Sequence, residues 1–181
     1  MTDDVHVRLM VTRGVKRTPY QDPRMTVGPA TIVIVPEYKQ PTRAVLDTGI
    51  RLFTVHVRRP YPDVLDAKLN THSKLNDITA CIQAYTAGAD EALMLDPHGF
   101  VATCNSTHFF VVRRGELWTS SGAFCLGGIT RGTVLRLSRD AGIPSVNIDL
   151  IYGLPKQTEK SFENTVERVI KIRPQRVALF H

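Results

Sequence analysis

Apolar positions in the middle of the chain change from helical to strand spacing, and this change predicts the main elements. Between residues 71 and 86 apolar side chains recur three or four residues apart, which predicts a helix with one apolar face. Gly88 follows where a helix-ending glycine is expected. The residues of the expected apolar face are Leu75, Ile78, Ile82 and Tyr85.

Short apolar runs bounded by turn residues predict strands on both sides of this helix. Residues 5–12 alternate at strand spacing, and the β-branched run 30–35 predicts a buried strand. Residues 36–48 are expected to be a polar connection. The further predicted strands are residues 50–57, 92–95, 107–112 and 117–119, and a second helix is predicted from about residue 129.

The order of these elements predicts an α+β fold with a mixed or antiparallel sheet. From residue 145 the pattern becomes strand (146–151), loop, helix (159–172) and strand (176–180), which is one βαβ unit. A βαβ unit alone cannot bury its faces, so this tail is expected either to dock on the rest of the chain or to stay loosely ordered.

The composition is that of an ordinary globular protein, with 43% hydrophobic and 22% charged residues. The net charge of +6 comes from scattered basic residues, so no nucleic-acid site is predicted. No apolar run is long enough for a membrane span and no signal peptide is visible, which favours the cytoplasm. Three distant cysteines favour neither a disulfide framework nor a metal site.

Gly127 and Gly128 precede the second predicted helix and raise the possibility of an anion site. Backbone N–H groups at a helix start can face a phosphate, and the helix dipole favours its charge. The alternative is a tight turn in which Thr130 only caps the helix. Spacing alone does not decide between the two.

Residues 88–131 contain a series of motifs: GADEA, LDPHGFV, HFFVV, GELWT and GITR. Together they resemble the large domain of class IV, fold type IV, pyridoxal-phosphate-dependent aminotransferases over about residues 5–143. The family includes branched-chain and D-amino-acid aminotransferases of amino acid metabolism. The resemblance implies pyridoxal phosphate as cofactor, amino acid and 2-oxo acid substrates, and a homodimer with its active site at the subunit interface.

The resemblance also implies residue roles at the cofactor. The turn at Gly128 and the backbone N–H groups of Ile129 and Thr130, with the Thr130 hydroxyl, would hold the phosphate. Leu126 would pack on the pyridine ring, and residues 105–107 would line its edge.

Two departures from the family pattern concern catalysis. The position of the lysine that bonds covalently to the cofactor is Asn70, whose amide cannot act as that nucleophile. Lys74, one helical turn later, is the preferred substitute and Lys68 the second; each could also be an ordinary surface lysine. The glutamate that pairs with the pyridine nitrogen is replaced by Thr103, so slow transamination is expected.

Residues 145–181 resemble oxygen-independent coproporphyrinogen III oxidase, a radical S-adenosylmethionine enzyme, through NIDLIYGLPKQT and RPQRVALF. The sequence has no cysteine motif for an iron–sulfur cluster, so radical chemistry is not expected. A chimera or a truncated reading frame, joined where the two families are similar, is the preferred explanation. The expected domains are 1–58 (remnant of the small domain and linker), 59–144 (part of the large domain) and 145–181 (the tail).

The function expected is an incomplete, impaired aminotransferase; the alternative is a non-catalytic fold remnant with at most phosphate or cofactor binding.

Overall fold

The computed structural model describes residues 4–40, 42–143, 146–151, 158–172 and 176–180. The chain forms two compact units, Met1–Gly49 and Ile50–His181. The predicted domain boundaries at residues 58 and 144 stay predictions.

The first unit is built on an antiparallel pair of strands, β1 (Val5–Val11) and β2 (Ile32–Tyr38). A short 3-10 helix, Pro23–Met25, lies in the connection, and α1 (Arg43–Thr48) follows β2. The strand predicted over residues 5–12 is confirmed. The polar connection predicted over residues 36–48 is wrong, because it contains the end of β2 and all of α1.

The two strands of the first unit place apolar side chains on one face. Cross-strand partners such as Leu9 and Ile34 share that face, and both are exposed. The opposite face carries the neighbours His6 and Glu37. The prediction of a buried strand over residues 30–35 is therefore wrong. In a two-stranded sheet the side chains contact those of the neighbouring strand, but the sheet itself supplies no second layer that would bury them.

The second unit begins with a three-stranded sheet in the order β3 (Leu52–Thr54), β4 (Glu91–Leu95), β5 (Val101–Cys104). β3 and β4 are parallel, because α2 (Leu75–Thr86) connects them, whereas β5 returns antiparallel. The predicted strand over 50–57 is shortened to β3, and β5 was not predicted because its four residues include small and polar ones.

Helix α2 packs on this sheet through its small residues. Ala80 and Ala84 are buried in one cluster with Val55, Ala92 and Met94. The predicted helix is confirmed, and Gly88 adopts a positive φ of 76° just beyond it. The predicted apolar face is wrong: all four of its residues are exposed. Alanine allows a helix to approach a sheet closely, which the larger residues of the opposite stripe would prevent.

The second sheet of this unit has the order β6 (Phe110–Arg113), β7 (Glu116–Thr119), β8 (Val146–Ile151), β9 (Arg176–Phe180). β6 and β7 form a hairpin, and Arg114 and Gly115 at its turn both have positive φ, as in a type I′ turn. The strand predicted over 117–119 is confirmed, and the one predicted over 107–112 is confirmed only from residue 110.

The C-terminal tail extends this sheet. β8 pairs parallel with β7, and β9 pairs parallel with β8. The helices α3 (Ile129–Asp140) and α4 (Glu159–Ile172) supply the crossovers. Leu135 of α3 and Val169 of α4 meet in a cluster with Phe110. The predicted βαβ unit is confirmed with its bounds. Of the two alternatives for the tail, the structure shows docking on the rest of the chain.

Candidate functional site

A cavity of about 480 Å³ opens within the second unit. Three segments form its wall: the residues leading into α2 with the first turns of that helix, the segment 103–108 from the end of β5 onward, and Leu126 ahead of α3. A volume of this size is typical of sites for small organic ligands.

Lys74 and Asn70 lie together in the wall of this cavity. Lys74 is the N-cap residue of α2, and its Nζ donates a hydrogen bond of 3.1 Å to Asn70 Oδ1. Lys68 instead donates from Nζ to the carbonyl of Gly122 at 2.8 Å and is not among the wall residues. The structure therefore brings an amine beside Asn70 from four residues later in the chain, across the non-helical segment that precedes α2.

Arg59 and Asp77 form an ion pair in the same wall. The Arg59 Nη1 atom lies 2.6 Å from Asp77 Oδ1, with side-chain exposures of 13% and 18%. Arg59 Nε also donates to the carbonyl of Phe124 at 3.1 Å. This pair fixes the start of α2 against the segment before α3.

Thr103 is buried at the end of β5 and lines the cavity. Its hydroxyl donates to the carbonyl of Thr107 at 2.8 Å, and the Cys104 N–H donates to the same carbonyl. The Asn105 side chain accepts a hydrogen bond from the Ala92 N–H at 2.8 Å. These bonds tie the segment 103–107 into a tight loop against β4.

Glu91 holds the same loop through hydrogen bonds to its hydroxyl groups. Its buried carboxylate accepts hydrogen bonds from the hydroxyls of Ser106 and Thr107, each at 2.9 Å. Burial raises the pKa of the neighbouring Cys104 thiol to about 11, and the negative charge of Glu91 adds to this effect. A hydrogen bond with Thr107 acts in the opposite direction.

The start of α3 is open. Gly128 is its N-cap residue with a φ of +50°, and no side chain caps the helix. The suggestion that Thr130 caps the helix is wrong, because Thr130 lies within the first turn. The N–H groups of this turn have no partner within the helix. Leu126 lines the cavity; Gly128, Ile129 and Thr130 do not, and Ile129 is 93% exposed.

His108 and Arg131 are two neighbouring residues at the start of α3 that sequence reasoning missed. His108 lines the cavity, and its ring lies where a Cβ on Gly128 would be. Burial and then the charge of Arg131 lower the pKa of His108. Arg131 itself is buried, and its pKa is lowered by that burial. The GITR motif pointed at this turn, but no sequence signal connected it with His108.

The part of the chain that the structure describes holds no cluster of three or more histidine, cysteine or acidic side chains that could bind a metal ion. No helix among these residues is long and apolar enough to cross a membrane. The cysteines are free: Cys81 is exposed, and Cys104 and Cys125 are buried.

Comparison with curated proteins gives relatives of one kind over most of the chain. The branched-chain-amino-acid aminotransferase-like protein 2 of Arabidopsis thaliana is 39% identical over 137 residues, which are 76% of this chain and 24% of that protein. A putative branched-chain-amino-acid aminotransferase of Methanocaldococcus jannaschii is 36% identical over 171 residues, which are 93% of this chain and 58% of that protein.

Solved structures give the same result and confirm the predicted fold class. The branched-chain aminotransferase of Thermoproteus uzoniensis with norvaline matches with a TM-score of 0.69 and 29% identity over 78% of this chain and 46% of that one. An aminotransferase from Brucella abortus bound to pyridoxal phosphate matches with a TM-score of 0.63 and 28% identity. That match covers 78% of this chain and 49% of the other.

The predicted resemblance to oxygen-independent coproporphyrinogen III oxidase is confirmed for a short segment of the chain. A segment of 47 residues is 53% identical to oxygen-independent coproporphyrinogen III oxidase of Helicobacter pylori, which is 26% of this chain and 10% of that protein.

The chain spans less than two thirds of the length of each of these relatives. The model of the family described as amino-transferase class IV matches residues 2–152, which extends through β8. With most of its length matched in this way, the chain belongs to the class IV aminotransferase family.

Proposed function

We propose that this chain forms part of a pyridoxal-phosphate-dependent aminotransferase, which transfers an amino group from an amino acid to a 2-oxo acid. The observation that carries the proposal is the position of Lys74 Nζ, in the wall of the cavity and 3.1 Å from Asn70 Oδ1. Several structural neighbours are aminotransferases with pyridoxal or pyridoxamine phosphate.

The start of α3, which follows Leu126 of the cavity wall, fits this cofactor at its phosphate end. The open first turn of α3 offers unpaired N–H groups at Ile129 and Thr130, and the buried charge of Arg131 lies in the same turn. Leu126 gives the cavity an apolar surface on which the ring would pack. The bound cofactor would supply the reactive carbonyl and the ring that withdraws electrons from the substrate carbon.

Lys74 is the residue proposed to accept and return the proton of the substrate's α-carbon. Among the residues of this wall, Lys74 is the one lysine, and its Nζ in the neutral form can act as an amine nucleophile. The Asn70 oxygen accepts a hydrogen bond from Nζ and thereby orients it. Lys68 is the weaker candidate because its Nζ is bonded to the Gly122 carbonyl instead.

The proposed activity is impaired at the ring nitrogen. The Thr103 hydroxyl already donates its proton to the Thr107 carbonyl, so its oxygen can only accept a hydrogen bond. A hydroxyl cannot hold a positive charge on the ring as a carboxylate does. We therefore expect slower turnover than that of an enzyme with glutamate at this position.

Substrate, assembly and location are parts of the same proposal. The names of the relatives support a branched-chain amino acid as amino donor. We propose a homodimer in the cytoplasm; light scattering coupled to size-exclusion chromatography would measure the mass of the particle and test the assembly.

The second candidate is a protein that keeps the fold and binds the phosphate without chemistry. Asn70 at the expected lysine position favours this candidate, and so does Thr103 at the expected glutamate position. The two candidates differ in one measurable respect, which is whether an amine of this chain reaches the cofactor carbonyl.

Borohydride trapping tests this difference. The chain is incubated with pyridoxal phosphate, reduced with borohydride and digested, and the pyridoxyl-lysine is located by mass spectrometry. We expect one modified residue, Lys74. The variant Lys74→Ala should lose the modification, and Lys68→Ala should keep it. Scattered labelling of many lysines, or none, would reject the catalytic proposal and leave the binding candidate.

A further inference from the structure

His108 joins the cavity to the start of α3. Its side chain lines the cavity, and its ring packs directly on the backbone of Gly128. A Cβ on Gly128 would lie 2.8 Å from His108 Cδ2 and 3.2 Å from Cε1. The imidazole therefore occupies the space that a side chain at the N-cap position would fill in another helix.

Both ring nitrogens of His108 are available to form hydrogen bonds. Among the described residues, none forms a hydrogen bond with either ring nitrogen of His108. A half-buried imidazole in a cavity wall can therefore direct a nitrogen toward a ligand.

Arg131, in the first turn of α3, adds a buried positive charge that acts on His108. It is 8% exposed, and its Nη2 donates to the Ser120 carbonyl at 2.6 Å. Its Nε is buried without a hydrogen-bond partner, and no described carboxylate forms an ion pair with it. A buried guanidinium without a counter-ion is costly, and an anion from solution would relieve that cost.

We propose that His108 is a proton-linked contact for the phosphate group of the ligand, so that the anion binds at the start of α3 together with a proton on the imidazole. This inference rests on the proposed function, because it assigns a further residue to the phosphate end of the same ligand.

The charges around His108 determine the direction of the pH dependence. Arg131 faces it from α3, and Arg59 and Lys74 contribute positive charge from the cavity wall, where Asp77 is already paired with Arg59. The thiols of Cys81 and Cys104 are the remaining titratable groups of that wall.

Burial, and then the charge of Arg131, lower the pKa of His108 and favour neutral imidazole in the free chain. A bound anion reverses the balance and raises that pKa. Protonated His108 therefore accompanies the complex at low pH, and affinity for the anion falls as pH rises through the pKa in the complex.

The test is a titration of the His108 ring by NMR, in the free chain and with saturating inorganic phosphate or sulfate. Sulfate keeps a constant charge across the range in which histidine titrates, so any pH dependence of its binding belongs to the protein. We expect the pKa of His108 to rise by about one unit when either anion binds, and sulfate affinity to fall about tenfold over the same pH range.

Two variants make the test specific. His108→Gln keeps a polar side chain that does not titrate, and it should bind sulfate with a flat pH profile. His98→Gln is the matched control, since His98 is exposed and lies outside the cavity wall, and it should keep the original profile.

The inference is overturned if neither anion binds, if the pKa of His108 stays unchanged at saturation, or if His108→Gln keeps the pH dependence. Borohydride labelling at Lys74 is a separate readout. An anion-linked pKa shift without that labelling would reject the proposed aminotransfer while supporting the role of His108.

Discussion

The Nη1 atom of Arg59 lies 2.6 Å from the Oδ1 atom of Asp77, in the wall of the cavity that Lys74 also lines. Arg59 additionally binds the carbonyl of Phe124. One guanidinium thus connects the first turn of α2 with the segment that leads into α3, and the shape of the cavity depends on it.

Asp77→Asn should lower the free energy of unfolding by about 2–3 kcal/mol, because it leaves a mostly buried guanidinium without its counter-charge. Urea denaturation measures the change. The control is Asp140→Asn, which breaks the exposed pair with Arg136 and should cost at most about 0.5 kcal/mol. Equal losses in the two variants would show that the Arg59–Asp77 pair is no stronger than a surface pair.

Two glycines in the region of α3 should respond oppositely to alanine. At Gly128 the φ of +50° and the overlap with the His108 ring predict a loss of about 1–3 kcal/mol. At Gly132 no atom lies within 4 Å of the added Cβ, and the helix should gain about 0.5–1 kcal/mol. Chemical denaturation of both variants measures the difference; a neutral Gly128→Ala would contradict the described packing of His108.

The buried thiol of Cys104 should make stability depend on pH in the alkaline range. Its pKa in the folded chain is raised from 9.0 to about 11, so the folded state keeps the proton that the unfolded chain releases. The contribution is complete below pH 9 and is lost as pH rises through 11. The loss should reach about 2–3 kcal/mol.

Unfolding free energies of the original chain and of Cys104→Ala, measured from about pH 8 to about pH 11, isolate this contribution as their difference. Cys81→Ala is the control, because Cys81 is exposed and its replacement should leave the pH profile unchanged. Parallel profiles for Cys104→Ala and the original chain would refute the assignment.

Substitutions on the two faces of α2 test which face is buried. Ala84→Leu should destabilise the chain by about 1–3 kcal/mol, because Ala84 is enclosed with Ala92 and Met94. Ile82→Ala, on the exposed stripe, should change stability by about 0.5 kcal/mol or less. A loss of several kcal/mol for Ile82→Ala would instead support the face expected from the sequence.

Local signals in the sequence were sufficient for elements whose limits are set by nearby residues. The bounds of β8, α4 and β9 agree with the predicted ones. Periodicity also located α2. It could not tell which side of α2 faces the sheet, because that depends on the size of the partners across the contact, Ala92 and Met94.

The candidate site was predictable only where a motif carried it. Lys74, Asn70 and Thr103 came from an aligned pattern, and the structure places all three in the wall of one cavity, although their roles stay predictions. His108 and Arg131 lie 23 positions apart in the numbering. Their proximity arises from the hairpin β6–β7 and the loop before α3, and a single sequence contains no measure of such a contact.

The sheet β6–β7–β8–β9 repeats one step twice, since α3 leads from β7 to the parallel β8 and α4 leads from β8 to the parallel β9. Each step is a module of one helix and one strand: the strand pairs with the strand before it, and the helices pack on each other and on Phe110 of β6. Segments of different ancestry can therefore be exchanged at the end of α3, provided that the incoming segment starts with a strand. A sheet of this architecture can therefore be lengthened by one module at a time, while the hydrogen bonds between its earlier strands stay unchanged.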